Sequence, residues 1–237
     1  MSLDEARVLL RGLTNDQRES VLKILRQDYH IPIHEIETAW NTTAEAILEA
    51  IFEAPDLTQR GVRGVLAEAT FRTVVVPQKL AGWHSIPFKG DLPYDLLLDD
   101  DSGPLKVQVK NQRREKGAHK VSTKLTQLSG SPVHVVETQR TRNGRSRHAG
   151  EEATATRPYR FGDFDILAVC LQPSSRDWAD FIYCPCHRLV ARPNAPQLLK
   201  VLQPIFTNET RGWTRNFDAA AQDTRIDLAA KSDAGAQ

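Results

Sequence analysis

Apolar positions along this chain change period once. Over the first 58 residues they recur at helical spacing: Val21, Leu22, Ile24 and Leu25 form one stripe, and Thr14 with Gln17 makes a capping box that opens a helix over 16–28. Pro32 and the Asn41, Thr42, Thr43 run interrupt the pattern; a second helix spans 44–52 and stops before Pro55. A third spans 59–73, with Val62, Val65, Leu66 and Ala69 on one side, although Gly61 and Gly64 each weaken it by about 1 kcal/mol relative to alanine. From residue 83 the pattern alternates instead. Strands are predicted over 83–88, 94–99, 105–111, 133–139, 164–172 and 178–183, with one helix over 118–128. That mixture implies an α/β or α+β fold: a central mixed β-sheet flanked by helices, preceded by a small helical region. The expected division is an N-terminal helical domain over 1–58, a sheet domain over 59–217, and a polar, alanine-rich tail over 218–237 that frays.

Composition narrows the class. The start lacks a basic segment followed by an unbroken apolar one, and nowhere do about 18 apolar residues run together, so neither secretion nor a membrane span is indicated and the cytoplasm is the expected location. The three cysteines, Cys170, Cys184 and Cys186, are too few and too odd in number for a closed disulfide framework, which fits a reducing compartment. Cys184, Cys186 and His187 lie close in sequence, but structural zinc sites draw on two spaced pairs, so packing at a strand end is the expectation for them. The histidines form no catalytic grouping; His84, His119 and His134 read as surface or packing residues, and no phosphate-binding loop, nucleophile elbow or dinucleotide glycine pattern is present.

The net charge of +1 conceals a strong division. Residues 106–147 carry eleven basic and two acidic side chains, a balance of +9, whereas residues 1–58 carry five basic and eleven acidic ones, a balance of −6. A cationic stretch of that strength is the footprint of a polyphosphate partner or of a solvated basic loop.

The candidate chemistry sits in one hairpin. Two β-runs, 94–99 and 105–110, flank an Asp, Ser, Gly, Pro turn. If Leu98 faces Leu105 or Lys106, then Asp95 falls opposite Gln108 or Val109. Gln108 and Lys110 project to one face of their strand while Val107 and Val109 point to the other, so a carboxylate, an amide and an amine can converge.

Asp95 followed by Gln108-x-Lys110 and a basic run, with Glu68 on an upstream helix and a later strand after Asp165, resembles the PD-(D/E)xK nuclease superfamily, type II restriction endonucleases in particular. The resemblance covers about residues 59–190 and implies a restriction-endonuclease-like sheet. Two departures stand out: Tyr94 separates Pro93 from Asp95, and Gln108 occupies a position that is usually acidic. The resemblance further implies a Mg²⁺-dependent, sequence-specific endonuclease acting on double-stranded DNA. Asp95, Gln108, Lys110 and Glu68 would be its catalytic residues, and Asp95, the Gln108 oxygen, the Val109 carbonyl and Glu68 its metal ligands. An amide oxygen brings no charge, so magnesium would be held less tightly or lean harder on Glu68. A metal would lower the Lys110 pKa and Asp95 would raise it; residue types do not rank the two. Arg113, Arg114, Lys116 and Lys120 are the expected phosphate contacts, and Arg140, Arg142, Arg145 and Arg147 a second basic group for DNA backbone or base edges. A homodimer and a cognate methyltransferase encoded nearby accompany the restriction reading. The alternatives are a repair, junction-resolving or transposition nuclease of the same fold, or a DNA-binding module without catalysis.

Overall fold

A computed structural model of the chain describes residues 2–29, 31–90, 92–115, 117–139 and 158–235. The chain divides into two compact units, Met1–Arg60 and Gly61–Gln237. The first is helical: α1 (Leu3–Gly12), α2 (Asn15–Gln27), α3 (Glu35–Trp40) and α4 (Ala44–Glu53). The Thr14–Gln17 capping box forms as the sequence indicates, and Ser2 with Glu5 makes another ahead of α1. No apolar residue of these four helices is buried; the unit is tied through Glu37. Its carboxylate accepts from Arg26 of α2 at 2.8 Å, from the Ala44 N–H opening α4 at 2.6 Å, and from the N–H groups of Ile33 and His34. Those bonds, the Arg26 guanidinium first, lower the Glu37 pKa to about 2.

The helix α5 (Asp56–Thr70) starts three residues earlier than predicted and passes into a π-turn, Phe71–Val75, before α6 (Val76–Lys79). Pro77 explains the wider turn: it has no N–H and crowds the carbonyl four residues back, so α-helical bonding cannot run through it.

Then come β1 (His84–Ile86), β2 (Leu96–Asp99), β3 (Leu105–Asn111), β4 (Arg114–Glu115), β5 (Ala118–His119), α7 (Thr123–Ser129), β6 (Val133–Glu137), β7 (Ile166–Cys170), α8 (Gln172–Ser175), β8 (Phe181–Pro185), β9 (Ala191–Arg192), β10 (Ala195–Leu199), β11 (Leu202–Phe206) and α9 (Phe217–Gly235). The central sheet has five strands in the order β1-β2-β3-β7-β8; only the β3–β7 pair is parallel. This is the mixed α/β architecture expected. One face, with Leu96, Val107, Val109, Ile166 and Ala168, packs on Ala67 and Phe71 and on Phe217, Ala220 and Ala221 of α9. Phe71 sits at the centre of that layer, 4.9 Å from Phe181 and 6.5 Å from Phe217 between ring centroids. The opposite face, with Leu167, Val169, Ile182 and Cys184, is covered by Val133 and Val136 of β6 and by Ile205 and Phe206 of β11.

Three expectations need correction. The helix over 118–128 starts only after Ser122; residues 118–119 are instead β5, returning from β4 through Gly117 at φ +81°, a conformation that breaks a helix. The tail expected to fray from 218 is the long helix α9, because Phe217, Ala220, Ala221 and Thr224 are buried and Asp218 accepts from Trp83 Nε1 at 2.7 Å. Strands β9 to β11 were not predicted. Pro196 and Pro204 mask them, and Pro204 is accommodated because β11 pairs with β6 alone. The three cysteines are buried and free, as packing residues would be, with burial pushing the Cys186 thiol up to about 11 and Cys170 up to about 12. Among the described residues no helix is long and apolar enough to cross a membrane.

Candidate active site

Strand alternation and the early end of β2 build the site. The β2–β3 register pairs Leu98 with Leu105, Leu97 with Lys106 and Leu96 with Val107, and so carries Asp95 opposite Gln108. The Asp95 N–H donates to the Val107 carbonyl at 3.0 Å, and beyond that rung the Asp95 side chain takes over from backbone. Its Oδ2 accepts from the Val109 N–H at 2.9 Å and from Gln108 Nε2. Because Val109 buries its side chain in the opposite layer, its peptide edge is left facing Asp95; its carbonyl accepts from Gln108 Nε2 at 3.1 Å. The parallel neighbour β7 is anchored separately: buried Asp165 accepts from the Lys106 N–H at 2.7 Å, fixing where β3 starts.

Gln108 therefore presents nitrogen, not the expected ligand oxygen, to the carboxylate. An amide turns its N–H toward a carboxylate and its oxygen away; a half-turn about the terminal torsion exchanges them. Gln108 is 1% exposed, so water offers it no other partner.

Electrostatics couples the four candidate groups. Burial raises the Asp95 pKa, against the Lys110 charge and the Val109 N–H. Glu68 is raised as well, first by burial and then by the Asp95 charge, with Arg72 and Lys110 opposing. Lys110 is lowered: burial outweighs both carboxylates. Its Nζ lies 5.5 Å from the centre of the Tyr159 ring, and Arg72 Nη1 lies 3.5 Å from Glu68 Oε1. Arg72 had a sequence signal, standing one turn beyond Glu68 on the same helix face. Tyr159 had none, being 49 residues from Lys110 in the chain. A cleft of about 420 Å³ opens beside the site, lined by Glu68, Arg72, Ser85, Phe88, Tyr94 and Asp95 among others.

The expected phosphate contacts are more occupied than their sequence suggests. Arg113 pairs with Glu137, Arg114 Nη2 donates to the Gly117 carbonyl at 2.6 Å, and Lys120 Nζ donates to Glu115 at 3.2 Å. Lys116, Arg140, Arg142, Arg145 and Arg147 lie outside the described residues. Among the described residues no group of three or more histidine, cysteine, aspartate or glutamate side chains is gathered to hold a metal; the Asp95 site offers two carboxyls, an amide and a carbonyl instead.

No family model matches the chain, and no curated protein does. Among solved structures, the bacterial homing endonuclease I-Ssp6803I is similar over 73% of this chain and 95% of that one, at 20% identity and a TM-score of 0.38.

Proposed function

We propose that this chain is a magnesium-dependent endonuclease of the PD-(D/E)xK kind that cuts double-stranded DNA at specific sites, as a type II restriction enzyme does. The observation that carries the reading is the convergence of Asp95, Gln108 and the Val109 peptide on one point, with Lys110 and Glu68 within electrostatic reach.

Magnesium suits this donor set. Asp95 disfavours the ionisation of Glu68, and a divalent cation beside both relieves that repulsion, while the Gln108 and Val109 oxygens are the hard ligands such an ion takes. When bound, the metal supplies charge for the phosphate and lowers the pKa of water. The chain's own groups do the remainder. Burial lowers the Lys110 pKa, which suits its Nζ to take the proton of the attacking water. The water oxygen bonds to phosphorus as the ester P–O bond breaks, and the leaving oxygen takes a proton from solvent. Asp95 is held by the Val109 N–H at 2.9 Å, which limits its reorganisation during the reaction. The reading brings with it two copies per duplex site and a cognate methyltransferase gene nearby.

Purified protein incubated with phage DNA and Mg²⁺ tests this reading: a discrete fragment ladder is expected, whereas binding without cutting would leave a DNA-binding module without catalysis. Asp95→Ala and Lys110→Ala should each slow cutting by about 10²–10⁴-fold while sparing binding. Cutting that survives Asp95→Ala removes the assignment, and Asp91, outside the described residues, becomes the next carboxylate to replace.

A further inference from the structure

Beyond Lys110 the chain leaves the sheet on a stiff mount. On the way out Gln112 bridges Val136, and the Arg113 N–H donates to the Val135 carbonyl at 2.8 Å. On the way back Val121 bridges His134, and the Ser122 N–H donates to Val133 at 2.8 Å. Both feet of the excursion are thus bonded to the same strand, β6. Between them β4 and β5 pair Arg114 with His119 and Glu115 with Ala118, and the Lys120 N–H donates to Arg113 at 2.8 Å. An Arg113–Glu137 ion pair and an edge-to-face contact of His119 on His134, 5.1 Å between ring centres, brace the base. Glu115, Gly117, Ala118 and His119 are exposed, so this ribbon adds nothing to either core. A two-stranded element anchored so firmly, yet burying no apolar surface, is built to present its surface.

We infer that the β4–β5 ribbon enters the DNA major groove and reads base edges beside the cut. The inference rests on the nuclease reading for its substrate, duplex DNA. Size fits: strands about 4.8 Å apart lie within a groove about 12 Å wide, which admits a two-stranded ribbon. Position fits too. Lys110 and Arg114 are four residues apart, about 13 Å at 3.3 Å per residue, or about four base-pair steps along the duplex. Charge fits, since the ribbon lies inside the +9 stretch over 106–147. Pairing places Glu115 and Ala118 together on the face opposite Arg114 and His119. A carboxylate there, on exchanging Lys120 Nζ for the base, accepts from the cytosine amino group, and an alanine methyl packs on the thymine methyl, so the two residues supply readout in different bases.

The test selects duplexes from a randomised pool by binding to the full-length protein in metal-free buffer, then repeats the selection with Glu115→Ala and Ala118→Gln. The wild type is expected to enrich a motif. Each variant is expected to lose or change preference at one or two positions, by about tenfold to a hundredfold for the favoured base, with the rest of the motif kept. An unchanged motif in both variants, or no motif for the wild type, overturns the ribbon assignment. A wild type that enriches a motif altered by these variants but never cuts with Mg²⁺ sinks the nuclease reading and leaves the ribbon standing.

Discussion

Asp95 ends the β2 pairing, bonds the Val109 peptide and faces Gln108, all in a setting that resists its charge. A carboxyl whose folded pKa is raised stabilises the fold while protonated, and that contribution is lost as pH rises through its folded pKa. Above that folded pKa and without metal, the ionised Asp95 therefore weakens the fold, and Asp95→Asn should raise Tm, by about 2–4 °C per kcal/mol relieved. Magnesium should reverse the ranking. At a hundredfold excess over Kd it adds about 2.7 kcal/mol, so wild-type Tm should climb by about 5–10 °C while Asp95→Asn stays put. Scanning calorimetry with and without MgCl₂ reads both effects, and equal shifts in the two proteins would remove Asp95 from the metal site. The same raised pKa values of Asp95 and Glu68 predict that magnesium affinity starts to fall, on acidification, above the usual carboxylate range. A magnesium titration repeated from pH 8 to pH 5 measures this.

At the scale of elements, two joints decide what holds. In the first unit Glu37 substitutes for a core, gathering α2, the turn before α3 and the start of α4. A carboxylate held near pKa 2 stabilises above its unfolded value of 4.5, and that contribution is lost as pH falls toward 2. The N-terminal helices should accordingly melt in this window, followed by Trp40 fluorescence, and Glu37→Gln should abolish the transition. In the second unit α9 closes a core layer. Trp83 and Tyr183 contact Phe217 edge-on, with ring centroids 4.8 and 5.1 Å away, and Arg225 reaches Asp100 across the sheet's edge at 3.0 Å. Phe217→Ala should cost about 3–5 kcal/mol in chemical denaturation. A loss under 1 kcal/mol would mean that the helix is not part of the core.

Over the whole molecule, a balance of −6 in the first 58 residues against +9 over 106–147 makes salt the main control on any contact with DNA. Affinity for a non-specific duplex should fall between 50 and 200 mM salt with a log–log slope of about 0.9 per phosphate engaged, measured by fluorescence anisotropy. The internal pairing of Arg113, Arg114 and Lys120 makes that slope shallower than their number suggests. These pairings illustrate what local pattern carries and what it does not. By itself the sequence determined the alternation that aligns Gln108 with Lys110, the Thr14 cap and the α/β class, because each depends on neighbours along one strand, turn or helix, and it narrowed the residue opposite Asp95 to Gln108 or Val109, of which the fold chose Gln108. Only the tertiary structure decided that the alanine-rich end is a core helix, that Tyr159 lies over Lys110, that the Gln108 nitrogen faces Asp95, and that burial outweighs two carboxylates at the amine. Those outcomes turn on desolvation and on partners far apart in the chain, and neither is set by the residues adjacent in sequence.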